Sequence, residues 1–282
     1  MKKTPLRVAI NNRLKIVFVV SMLMALMLTA SGLFAQKRAD VLVIPKGTTY
    51  EMKEDTLVVE ELRLLDSARL VMVGNSLMRY IKARRIVIGT ASTIDGQGER
   101  GTSGTPGKNG APSKGVCQNG LDGMAGTNGT NGTDGKSLTL EADAIEVSGA
   151  FHIYLKGGTG GDGGAGGNGS AGSPSSKHCT SHGGTGGTGG GGGNGGNGGT
   201  LNVTYKSGLS LNDFCLKAIL HNEGGYQGFG GAGGKGGAAG TGASESKSNQ
   251  GAIGKKGLDG KKGIEGKPLF YSVVVASAAK SE

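Results

Sequence analysis

The chain has 282 residues and a formal charge of +10, and 59 of the residues are glycine. Aromatic residues make up only 4% and tryptophan is absent, which excludes one large conventional core. There is no basic run and no platform of stacking aromatics, so the positive charge does not read as a nucleic-acid surface.

Residues 1–35 read as a signal peptide. Lys2, Lys3, Arg7, Arg13 and Lys15 form a basic n-region, 16–30 is an apolar stretch, and Leu33-Phe34-Ala35 precedes a cleavage point before Gln36. The apolar run is short for a membrane anchor. Removing the leader, which has the style of bacterial leaders, takes away five basic residues and lowers the formal charge to +5. The expected product is secreted or at the cell surface, with no membrane insertion after signal removal.

The mature chain opens on Val41-Leu42-Val43-Ile44, followed by the turn signal Pro45-Lys46-Gly47. Similar apolar segments recur at 55–75, 76–98, 137–158, 200–225 and from Lys267 onward. Each holds short strands of period two, split by Gly, Asp or Ser. Leu57 and Leu77 are 20 residues apart, and the next intervals, to Leu138, Leu201 and Leu269, are 61, 63 and 68. The spacing predicts one unit of about 20 residues that repeats, with three successive units carrying a long insertion at the same point, as in a β-solenoid. A small β-sandwich with glycine-rich loops is the alternative.

The insertions keep a period of three. Glycines recur from Gly98 to Gly110 and from Gly120 to Gly135. Gly-Gly-Xaa runs through 157–173 and 183–200, and the spacing returns from Gly225 to Gly240 and from Gly251 to Gly266. A left-handed polyproline-II-type helix has three residues per turn and no internal hydrogen bonds. Its amide groups must then pair with neighbours, and close lateral approach favours glycine. The fold expected is therefore mostly β. A small β-solenoid-like scaffold (36–97, 137–156, 201–223, 268–282) would carry three glycine-rich hairpins (98–136, 157–200, 224–267). These would form a six-helix polyglycine-II bundle, a two-by-three array with the 157–200 hairpin at its centre and four less covered corners. A collagen triple helix competes for the Gly-Xaa-Yaa pattern, but six prolines preorganise it poorly.

Cys117 lies in the first break of the pattern and Cys179 in the second. With arms of similar length these hinges meet, which predicts a Cys117–Cys179 disulfide in an exported protein. Cys215, beside Phe214 and Leu216, reads as a buried free thiol in an apolar strand. His178, Cys179 and His182 lack a fourth ligand at any standard spacing, so no metal is expected, and no other cofactor is implied. The G-x-G-x-x-G match at 158–163 lacks a strand–helix context. The single GGxGxD match at Asp162 does not make a calcium repeat. No nucleophile or carboxylate constellation rises above background, so the chain is not expected to be an enzyme.

On these glycine tracts the chain resembles two groups. The snow-flea-type antifreeze proteins are six-helix polyglycine-II bundles tied by disulfides. The glycine-rich phage tail-tip adhesins recognise host surfaces through hinge loops. The resemblance implies an adhesion or surface-binding module for an extracellular ligand, a surface glycan or protein, met by the hinges 111–119, 173–182 and 241–250. The candidate contact residues are Lys114, Lys177, His178, His182, Glu245 and Lys247. The second implied function is ice binding through a face of Thr127, Thr130 and Thr133 with Asn128 and Asn131. A passive extracellular structural protein is the third.

Overall fold

The computed structural model describes residues 36–176, 178–208, 211–242 and 248–272. The signal-peptide stretch 1–35, Lys177, Glu245 and Lys247 lie outside these residues.

The described chain is mostly β and holds two parallel sheets. The first contains β1 (Gln36–Ile44), β3 (Thr56–Leu64), β5 (Met78–Ile88), β7 (Ser137–Val147), β9 (Leu201–Gly208) and β11 (Pro268–Ser272), in that order. The second contains β2 (Thr49–Met52), β4 (Arg69–Met72), β6 (Thr93–Asp95), β8 (Phe151–Tyr154) and β10 (Ala218–His221). The chain thus passes from one sheet to the other and back, and each pass stacks on the one before.

Alternation explains the strands. Leu57, Val59, Leu62 and Leu64 are buried in β3, and Leu70 and Met72 in β4. Inward side chains reset at the exposed Glu60, where Val59 pairs with Ala83 and Glu61 with Arg85. The long strands bend there, which wraps each pass around a common core. Ile44, Leu64, Ile88, Ile94, Leu138, Phe151, Ile153, Leu201 and Val203 fill that core. One corner repeats a left-handed residue: Gly47, Ser67 and Ala91 have φ of 69°, 56° and 54°.

Outside the first sheet, charges pair across strands. Lys82 donates to Glu141 at 2.6 Å, Arg85 reaches Glu146 at 2.7 Å and Lys206 reaches Asp143 at 2.7 Å. Hydrogen bonds from Lys82 and Tyr80 hold the Glu141 carboxyl below its usual range. Burial, reinforced by the bond to Glu141, pushes the Tyr80 hydroxyl up to about 12.

The repeat differs from the expected one at Leu77 and at Leu269: Leu138 pairs with Arg79, not Leu77, and Leu269 pairs with Asn202, not Leu201, so the last step is 67 residues. Leu57 pairs with Ile81, not Leu77, so the step from β3 to β5 is 24 residues. Leu77 is 45% exposed. The extra residues bulge at 73–77, where Arg79 donates to Asp55 and to the Val73 carbonyl, and Lys136 donates to the Gly74 carbonyl at 2.6 Å. Burial, with the Arg79 charge, lowers the Lys136 pKa.

The segment 200–225 also departs from the all-strand expectation. It contains α1 (Leu211–Lys217). Helical period turns Phe214 inward, edge-to-face on Phe151 with centroids 5.6 Å apart, and leaves Cys215 exposed. The thiol expected to be buried in a strand is therefore an exposed helical one.

All three glycine-rich segments leave at the same corner, after β6, β8 and β10, and return into β7, β9 and β11. Each goes out and comes back as two arms: 98–110 and 120–135, 157–172 and 183–199, 224–240 and 251–266. Backbone amides donate sideways with a period of three, one per triplet in arms 98–110, 224–240 and 251–266 and two per triplet in the other three. Gly101, Gly104 and Gly107 donate to the Thr159, Asp162 and Ala165 carbonyls, and Gly160 and Gly163 to those of Tyr226 and Phe229. Gly129 and Gly132 donate to Gly191 and Asn194, and Gly192 and Gly195 to Leu258 and Lys261. The two arms of each segment also bond to each other, as in Thr130 to Thr102, Gly190 to Gly164 and Gly257 to Gly231.

These bonds define two staggered layers, with the outgoing arms in one and the returning arms in the other. Both central arms bond to four others. Arms 120–135 and 224–240 bond to three, and 98–110 and 251–266 to two. The expected four equivalent corners are thus two edge arms and two intermediate ones. Arm 120–135 has three neighbours with only one glycine per triplet. A non-glycine residue can donate its amide while its side chain stays on the exposed edge of the arm, as Thr127 and Thr130 do.

The layers extend the sheets. The 67-residue offset that pairs Leu220 with Ile153 in the second sheet also relates Tyr226 to Thr159 in the arms. The 63-residue offset of Leu138 and Leu201 also relates Asn131 to Asn194. Each sheet therefore runs without a slip into one glycine layer.

Candidate functional site at the hinges

The three segments reverse at the end of the arms remote from the sheets, and the reversals are tied to one another. Cys117 and Cys179 stand at disulfide distance, with Cα atoms 5.8 Å apart. The Cys117 amide donates to the Pro174 carbonyl at 2.8 Å, and Ser173 donates to that of Gln118 at 2.9 Å. The second and third hinges join where Ser175 donates to Thr241 and the Ser181 amide to the Ser248 hydroxyl. Asn249 donates to His182 Nδ1 at 3.0 Å. Cys117 holds a left-handed φ of 63°, which folds the hinge back toward Pro174.

Of the residues expected here, Lys114 and His178 are exposed and His182 is half-buried by its bond to Asn249. Val116, missed by sequence reasoning, is 63% exposed beside them. Its apolar character inside a polar hinge was the available signal. No protein-family model, curated protein or solved structure matches this chain. The reading of the hinges consequently rests on their chemistry.

The threonine face has a second column. Thr127 and Thr130 meet the hydroxyls of Thr105 and Thr102 at 3.0 and 3.1 Å. Thr127, Thr130 and Thr133 Oγ1 accept the backbone amides of Thr105, Thr102 and Glu99. Asn128 and Asn131 accept the amides of Gly191 and Asn194 at 2.7 and 2.8 Å. All five side chains are exposed, yet each already clamps a neighbouring arm. Asp162 does the same, accepting the Phe229 amide at 2.8 Å. Among the described residues, no group of three His, Cys, Asp or Glu side chains is placed to hold a metal ion.

Proposed function

We propose that this is an exported, non-enzymatic binding protein that presents its hinges to an extracellular surface, as an adhesion module does. In this reading the stacked parallel passes are a β-solenoid-like scaffold. The six arms are a polyglycine-II bundle that carries the hinges away from it. Sideways amide bonds in every turn support the bundle, because a three-residue helix has no internal bonds and, once covered by other arms, satisfies its backbone through them. A cysteine pair at the far end suits an oxidising compartment.

The observation that carries the functional reading is the convergence of three chain reversals at one end, cross-tied by Cys117–Cys179, Ser175–Thr241 and Ser181–Ser248. Recognition concentrates on loops held by a rigid scaffold. A purely structural rod needs no such gathering of Lys114, Val116 and His178 on exposed turns. Ice binding is less favoured because the threonine and asparagine oxygens are engaged by backbone amides.

The test exchanges 114–116 and 243–247 for Gly/Ser sequence, with Lys177→Ser/His178→Ser made in the same proteins, and measures binding to whole cells and to a glycan panel. Loss of binding with an unchanged melting temperature is expected. Binding unchanged by both exchanges would remove the hinge reading.

A further inference from the structure

The layer formed by the outgoing arms continues the second sheet, and its outer face carries a line of rings. His152, Tyr154 and His221 stack on the sheet, with Tyr154 and His221 centroids 4.6 Å apart and planes within 7°. The same face passes Lys156 and Glu223, which pair at 3.5 Å, and reaches Tyr226 and Phe229. These two are 68% and 61% exposed, in a chain whose aromatic content is 4%. From the His152 row to the Phe229 row the track spans roughly 30 Å at the rise of strands and polyproline-II-type chain.

Beside Tyr226 the face dips into a groove of about 290 Å³. Arg100, Lys156, Glu223 and Lys262 line it with Tyr226. Lys262 Nζ lies 5.2 Å from the Tyr226 ring centre and has no carboxylate partner among the described residues. Arg100 is only loosely held, 3.9 Å from Asp162, whose other oxygen already accepts the Phe229 amide. The contrast with the first sheet is informative, because there Lys82, Arg85 and Lys206 are each matched to a carboxylate. Under-paired cations next to exposed rings suit a ligand with flat apolar faces and anionic groups. Sugar rings offer C–H faces to aromatic side chains, and a sugar carboxylate matches a guanidinium and an ammonium.

We propose that this face binds an extended acidic polysaccharide, with Tyr226 and Phe229 under its rings and Arg100 and Lys262 on its carboxylates. The site lies at the root of the arms, away from the hinges, and does not depend on what the hinges recognise. Both substitutions at the rings are of exposed side chains, and they leave in place the backbone carbonyls that accept the lateral bonds from Gly160 and Gly163.

The test is retardation of residues 36–282 in native gels cast with polygalacturonate, with neutral dextran as comparison. Retardation by polygalacturonate alone is expected, weakening as salt is raised. The double variant Tyr226→Ala/Phe229→Ala should bind about tenfold more weakly, and Arg100→Gln/Lys262→Gln about threefold or more. Exchanging the hinges should leave this binding unchanged, which separates it from the hinge reading. Three results would overturn the proposal: no retardation by polygalacturonate, equal retardation by dextran, or a double ring variant that binds like the parent.

Discussion

The sheets and the glycine arms share one register but are held together differently. In the sheets, Leu57, Ile81, Leu140 and Val203 stack as an apolar column and bury almost completely. In the arms the corresponding column is backbone. A Cβ built on Gly190 would lie 1.9 Å from the Thr127 carbonyl oxygen, so no side chain enters between arms. The apolar exposure is also reversed: Ile253, Leu258 and Ile264 of the outer arm are each more than 70% exposed. The same stacking offset can thus be maintained by buried side chains or by amides alone. The amide-only solution contributes little apolar burial against the entropy of ordering glycine. The arms should therefore depend on the sheets that launch them.

That dependence gives the largest expected effect. Phe151 is fully buried, packs on Phe214 and sits on β8, directly before arm 157–172. Phe151→Ala should cost about 3–5 kcal/mol in a urea melt and should also speed amide exchange in the arms. Arms that kept full protection in that variant would show the two regions to be independent.

Gly190→Ala tests the other half of the comparison. The atom in the way is backbone carbonyl, which cannot swing aside as a side-chain end could. A loss of about 3 kcal/mol is expected, concentrated in faster exchange of arm amides while the sheets keep theirs. Unchanged exchange throughout the arms would mean that they do not approach as closely as the carbonyl contact implies.

Much of this arrangement was legible because it is written in spacing. Three-residue spacing marked the residues that donate sideways, from Gly120 to Gly135 and from Gly251 to Gly266. The common insertion point was visible in the intervals between apolar segments. The pairing of Leu57 was not, because the bulge at 73–77 is held by Lys136, 62 residues from Gly74, and by Arg79, which is itself anchored on Asp55, 24 residues away. Cys215 was misplaced because seven residues of Leu-Asn-Asp-Phe-Cys-Leu-Lys are too few to show a helical period. The line of rings was hidden for a related reason. Tyr154 and His221 come together only through the 67-residue offset, which no local window contains.

The smallest expected effect is the sharpest form of the comparison. Gly191 follows Gly190 directly, yet the nearest atom to its added Cβ is the Asn128 side-chain oxygen at 3.5 Å, an ordinary contact. Its amide donates to that same oxygen at 2.7 Å, and its carbonyl accepts from Gly129 at 2.9 Å. Alanine keeps both groups. It also restricts the unfolded chain, so Gly191→Ala should gain about 0.5 kcal/mol in the same melt in which Gly190→Ala loses several times that. Neighbouring glycines that respond with opposite sign would mean that one glycine is required by lateral contact and the other merely occupies an outward position. If Gly191→Ala were as damaging as Gly190→Ala, the outward edge of the central arm would be as crowded as its inner ones. The layer of returning arms would then have no open outer edge at its centre.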